Sequence, residues 1–90
     1  MFDWDEHNLD HIARHGVTPA EAEDVFFDPR RMLIRQGKLQ AGEARFTLVG
    51  RTDAGRLLAV VFTRRGEDIR VITARDASER ERRGYRRRGD

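Results

Sequence analysis

The sequence predicts an α+β domain: a small antiparallel sheet of about four strands, with two helices before it and one basic helix after it. Three observations carry this. Residues 5–27 place apolar side chains at spacings of three and four, with a helix stop and a helix start between them. Residues 31–74 change to short, β-branched and apolar runs separated by glycine-containing turns. Residues 78–88 open on a capping pattern and hold six arginines. The 90 residues amount to one domain, 1–90.

Phe2-Asp3-Trp4 reads as a short edge strand or an apolar anchor. Residues 5–15 form a helix with Leu9, Ile12 and Ala13 on its apolar side, and Gly16 stops it. Thr18 is the N-cap of the next helix, with Pro19 at its first position and Glu21 closing a capping box. That helix runs over 19–27 and buries Ala22, Val25 and Phe26. "DP" at 28–29 ends it, because a residue before proline leaves the α region.

Strands follow at 31–35, 43–52, 56–63 and 69–74. The second alternates Phe46 and Leu48 with Thr47 and Val49. The third is almost wholly apolar and reads as a central strand covered on both sides. "DAG" (53–55) and "RRGED" (64–68) are the turns between them. Ser78 and Glu81 make a second capping box, so the last helix starts at 79. Short connections make the strands an antiparallel meander, and the helices before and after it are expected to cover one face.

No cysteine is present, which removes disulfide frameworks and thiolate metal sites. The start has no basic region followed by an apolar one, as a signal peptide requires. The longest apolar run, 57–62, falls far short of the about 18 residues of a membrane span. A cytoplasmic protein with no membrane partner is expected. Charge is segregated along the chain. Residues 1–29 hold eight acids and one base, and residues 30–90 hold seventeen bases and eight acids. Seventeen of the eighteen bases are arginine, whose planar fork suits phosphate. The pattern points to a basic surface for an anionic ligand.

No phosphate-binding glycine loop, nucleophile elbow or paired-carboxylate motif appears. His7, His11 and His15 stand four apart on the first helix, with no evident further ligand, so no metal site is expected. What remains is the basic sheet and last helix. Arg64 and Arg65 should lie near Ile69 and Arg70, and Arg75 near Arg56. If the last helix folds back over the sheet, Tyr85 and several arginines converge on a groove, and the helix's cations lower the tyrosine's pKa. RNA cleavage without a metal needs a proton acceptor, donors for the phosphorane oxygens and an acid for the leaving oxygen. Arginines supply the second, and tyrosine or histidine the proton transfers.

Several motifs then coincide in order: "FDWDE" at the start, "HIARHGVTPAEAEDVF" (11–26), "DP" (28–29), "GRLLAVVFTRRG" (55–66) and "IRVITARDASERERRGY" (69–85). Together they resemble the BrnT-type toxins. The resemblance implies a RelE-like fold and a ribonuclease that arrests growth by attacking cellular RNA, without a cofactor. It implies a ribbon-helix-helix antitoxin as partner, with operator DNA bound only through that antitoxin. Arg65, Arg75 and Tyr85 match motif positions as catalytic residues, and His15 matches the "HG" that ends the first helix. Arg64, Arg82 and Arg86 are the RNA-binding candidates. The first-helix block "EHNLDHIAR" departs from the family's lysines and asparagines, and the spacing from Trp4 to His15 is shorter by one. The alternative reading is a catalytically inactive RNA-binding or antitoxin-partner module on the same fold.

Overall fold

The computed structural model describes residues 1–40 and 42–88, with the side chains of all of these except 35–40. The elements run α1 (Glu6–Ala13), α2 (Pro19–Phe27), β1 (Met32–Gln40), β2 (Glu43–Arg51), β3 (Leu57–Arg65), β4 (Asp68–Asp76) and α3 (Glu79–Arg88). The strands pair antiparallel in the order β1-β2-β3-β4, as short connections dictate. β3 and β4 run further towards each other than the sequence predicts, and only Gly66 and Glu67 separate them. Gly66 turns the chain there at φ 62°, which a side chain would resist. Phe2 adds a parallel bridge to Ile69, on the outer edge of β4.

The helices begin where the capping residues place them. The Thr18 hydroxyl accepts the Glu21 N–H at 3.1 Å, and the Glu21 carboxylate accepts the Thr18 N–H at 3.0 Å. Ser78 and Glu81 make the same reciprocal pair at the start of α3. α1 differs from expectation. Leu9 and Ala13 are exposed, and Asn8 is buried beside Ile12. Asn8 Oδ1 accepts the Asp5 N–H, and Nδ2 donates to Asp3 O and Val71 O. These bonds make a buried asparagine favourable where an apolar residue was expected.

The helices cover both faces of the sheet, not one. Ile12, Val17, Ala22 and Val25 pack from α1, α2 and the loop between them onto Leu48, Leu58, Val60 and Phe62. Ala77 and Tyr85 pack on the other face, against Val49, Leu57 and Ala59. The reason lies in β3, whose residues 57–60 are buried in unbroken succession, so each face needs a cover. Gly84 lets α3 settle close, because a Cβ there would stand 3.2 Å from Met32 Cε.

β4 carries a bulge. Val61 pairs with Thr73 but Phe62 pairs with Val71, leaving Ile72 as the extra residue. α1 takes up the carbonyls at this point: Asn8 Nδ2 donates to Val71 O at 3.0 Å, and His11 Nδ1 lies 3.1 Å from Ile72 O. The bulge inverts the alternation along the strand. Arg70 lies opposite Thr63 and Arg75 opposite Ala59, so both project on the α3 side of the sheet. An unbulged strand would send side chains an odd number of residues apart to opposite faces.

Candidate nucleic-acid interface

The α3 side of the sheet gathers arginines from three strands. Arg65 follows Ala59, Val61 and Thr63 on one face of β3. Arg70 and Arg75 join that face from β4, and Arg45 joins it from β2 through the Thr47–Val61 pairing. α3 covers the Ala59 end of this face. Towards the other end Val61 and Thr73 are only half-buried. Among the described residues, two polar atoms here are buried without a hydrogen-bond partner, Arg45 Nε and Thr73 Oγ1. Unpaired buried donors of this kind are costly and suit a site that an external acceptor completes.

The other arginines are held by carboxylates. Arg75 Nη1 and Nη2 donate to Glu81 Oε1 and Oε2 at 2.7 and 3.0 Å, a bidentate fork. The Arg75 hydrogen bond pulls the Glu81 carboxyl from 4.5 to about 2, against the opposing push of burial. Arg65 Nε and Nη2 donate to Glu43 at 3.0 and 3.3 Å. Arg70, 11% exposed, reaches Asp5 at 3.0 Å and Asp3 at 3.4 Å. The acidic N-terminal stretch thus meets the basic sheet within one molecule.

Tyr85 is buried, and its hydroxyl donates to Asp28 Oδ2 at 2.6 Å. Burial raises its pKa and the Asp28 bond raises it further, which outweighs the nearby Arg51 guanidinium. The lowering expected from the helix cations is therefore reversed. Most of those arginines point to solvent, where water screens them, while the carboxylate is in direct contact. Asp28 itself stays below its ordinary value. Burial pushes it up, but the Tyr85 hydroxyl and the N–H groups of Arg30 and Arg51 prevail.

The candidate residues do not form one cluster. Arg75 sits opposite Ala59 and Arg65 opposite Asp68, at the two ends of β3 and about 20 Å apart at the usual strand rise. Tyr85 lies one helical turn beyond Glu81, the partner of Arg75, so these two candidates share an end. Arg82 lies beside them, its Nε donating to Ala77 O at 3.2 Å. Arg86 is exposed and 3.5 Å from Glu79. Arg64 is exposed, opposite Ile69, and belongs to the α1–α2 face. His15 is exposed beyond the end of α1, and its carbonyl accepts from Arg56. Arg56 also binds Asp76 Oδ1 at 2.9 Å, close to Arg75 as expected. Among the described residues, no three His, Cys, Asp or Glu side chains cluster as a metal site.

One family model matches most of the chain. The model of the ribonuclease toxin BrnT, of type II toxin–antitoxin systems, matches residues 4–81. The chain belongs to this family. A search of the curated proteins finds no match. Membership of the BrnT family makes the protein a ribonuclease toxin of a type II toxin–antitoxin system, with an antitoxin partner. The matched span includes His15, Arg65 and Arg75 and ends before Arg82, Tyr85 and Arg86. No helix among the described residues is long and apolar enough to cross a membrane.

Sequence reasoning about this BrnT-family chain missed Arg45, Arg70, Asp28 and Glu81 as parts of the interface. Two carried a readable signal. Arg45 alternates with Thr47 and Val49, which assigns its face, and Glu81 was marked as a cap. Besides capping α3, Glu81 binds Arg75 of β4, a partner outside its own helix. Arg70 carried no such signal, because only the bulge puts it on the same face as Arg75.

Proposed function

We propose that this toxin is a metal-independent endoribonuclease that lays RNA along the α3 side of its sheet and is neutralised by a ribbon-helix-helix antitoxin. The observation that carries this reading is the convergence of Arg45, Arg65, Arg70 and Arg75 from three strands on one face. Arg75 is the residue that stabilises charge on the phosphorane oxygens, because its fork is already held in one orientation by Glu81. Glu81, ionised down to about 2, is too weak a base to take a proton at neutral pH and acts as the residue that aims Arg75. Arg65 binds a flanking phosphate, being too far along β3 for the same one. Arg82 and Arg86 extend the phosphate track along α3, and Arg64 meets RNA only where the strand passes round the sheet. Tyr85 holds α3 in place through Asp28. His15 remains a proton-transfer candidate, its backbone linked through Arg56 to Asp76 next to Arg75. Operator DNA is met only through the antitoxin, in the cytoplasm.

One observation favours the alternative of a non-cleaving RNA- or partner-binding module. The Tyr85 hydroxyl is committed to Asp28, so α3 offers no free proton carrier. Purified chain incubated with RNA in excess chelator separates the readings. Cleavage under chelation, reduced about 10²–10³-fold in Arg75→Ala, supports the nuclease. Binding without cleavage supports the module, and cleavage that requires a divalent metal overturns metal independence.

A further inference from the structure

The α1–α2 face carries a cleft that the arginine face does not use. It encloses about 770 Å³ and has an aromatic floor. Phe26 meets Phe62 edge-on at 5.0 Å, and Phe46 stacks on Phe62 at 5.4 Å. Leu33, 57% exposed, forms part of its wall. Three arginines stand on its rim, Arg31, Arg64 and Arg88, and among the described residues no acidic one lines it. Among the described residues Arg64 has no ion pair, unlike Arg65 beside it. An open apolar seat of this size is unusual on a small chain and marks a binding surface.

We propose that this cleft seats an amphipathic helical segment of the antitoxin, with an apolar stripe and flanking carboxylates. The proposal rests on the toxin–antitoxin reading. Charge decides the occupant. Among the described residues seven of the ten that line it are apolar and the other three are arginines, so their side chains offer no acceptor and no neutral donor to read a base edge. The phenyl rings are packed against one another, which suits aliphatic anchors better than an inserted base. An amphipathic helix places such anchors at i, i+3 or i+4, and i+7, and its flanks carry the acids to the arginines. The seat is also lined by chain neighbours of both partners in the Tyr85–Asp28 bond. Pro29 and Arg31 follow Asp28, and Arg88 follows Tyr85 by three residues. The partner therefore fastens α3 from the side of the sheet opposite Arg75.

The test uses the full chain and the product of the reading frame beside it, titrated by calorimetry. Leu33→Glu places a carboxylate in the seat at an exposed position, so the fold is retained. It should weaken association about tenfold or more and leave RNA cleavage by the free chain unchanged. Phe27→Glu is the control. Phe27 is 75% exposed and apolar but lies outside the cleft, so association should persist. Unchanged affinity in Leu33→Glu, or a loss confined to Phe27→Glu, overturns the cleft while the partner reading stands. Failure of the wild-type chain to associate defeats the partner reading and the proposal with it. Reduced cleavage in free Leu33→Glu makes the cleft an RNA subsite and also overturns the proposal.

Discussion

The Tyr85 hydroxyl stands 2.6 Å from Asp28 Oδ2 and joins the last helix to the C-cap of α2. The same carboxylate oxygen accepts the Arg51 N–H at 2.8 Å, and Oδ1 accepts the Arg30 N–H at 2.9 Å. One side chain thus ties the end of α2, the end of β2 and α3 together. The Arg51 guanidinium lies over the Tyr85 ring, 5.5 Å from its centre.

Tyr85 is the chain's one tyrosine, so an absorbance titration reports it alone. Its midpoint should lie above 10.0, because burial and Asp28 both oppose the phenolate. A raised native pKa means that this stabilisation is complete below about pH 10 and is lost as pH rises through the native value. Tyr85→Phe should lower stability by about 1.5–3 kcal/mol, the usual range for a bond to a charged acceptor. A titration midpoint below 10.0, or a rate loss of about 10²-fold in Tyr85→Phe with the fold intact, would return proton transfer to this residue.

Glu81 makes the acid limb of stability testable. Its carboxyl titrates at 4.5 ordinarily and at about 2 here. A depressed native pKa gives stability that is present above 4.5 and lost as pH falls towards about 2. Asp28, Asp76 and Glu21 are also lowered and act in the same direction. Glu81→Gln keeps the capping geometry but not the charge, so its urea midpoint should fall less steeply over that window than the wild type's. Parallel curves would show that the Arg75–Glu81 fork contributes nothing.

RNA affinity should depend on salt. On a single strand, log K should fall with log salt by about 0.7 for each phosphate neutralised. Arg45→Ala should reduce that slope by about one contact and weaken all sequences alike, as loss of a phosphate contact does. An unchanged slope in filter binding would remove Arg45 from the interface.

Asn8→Ala should destabilise the fold by about 1–3 kcal/mol, since it removes a cap and leaves a buried carbonyl at the bulge without its donor. Asn8→Asp should not restore stability, because a carboxylate cannot donate to Val71 O. Urea denaturation of the two variants decides this. Wild-type stability in either one would free the bulge from α1.

The order of elements was legible from the chain alone. Capping boxes at Thr18–Glu21 and Ser78–Glu81 place two helix starts within one residue, because they depend on side chains three positions apart. The glycine turns and the apolar run at 57–62 set the meander and its central strand for the same local reason. Tertiary structure decided the rest. Which face α3 covers depends on what β3 still has to bury after α1 and α2 have packed. Asn8 replaces Leu9 in the interior because one of its partners, Val71 O, comes from a distant part of the chain. The bulge at Ile72 puts Arg70 and Arg75 on one face, and the length of β3 keeps Arg65 away from Arg75. Local patterns fix where the chain turns, but a partner across the fold has no signature at short range. The pairings Arg75–Glu81 and Tyr85–Asp28 therefore became visible only when the strands and helices were assembled.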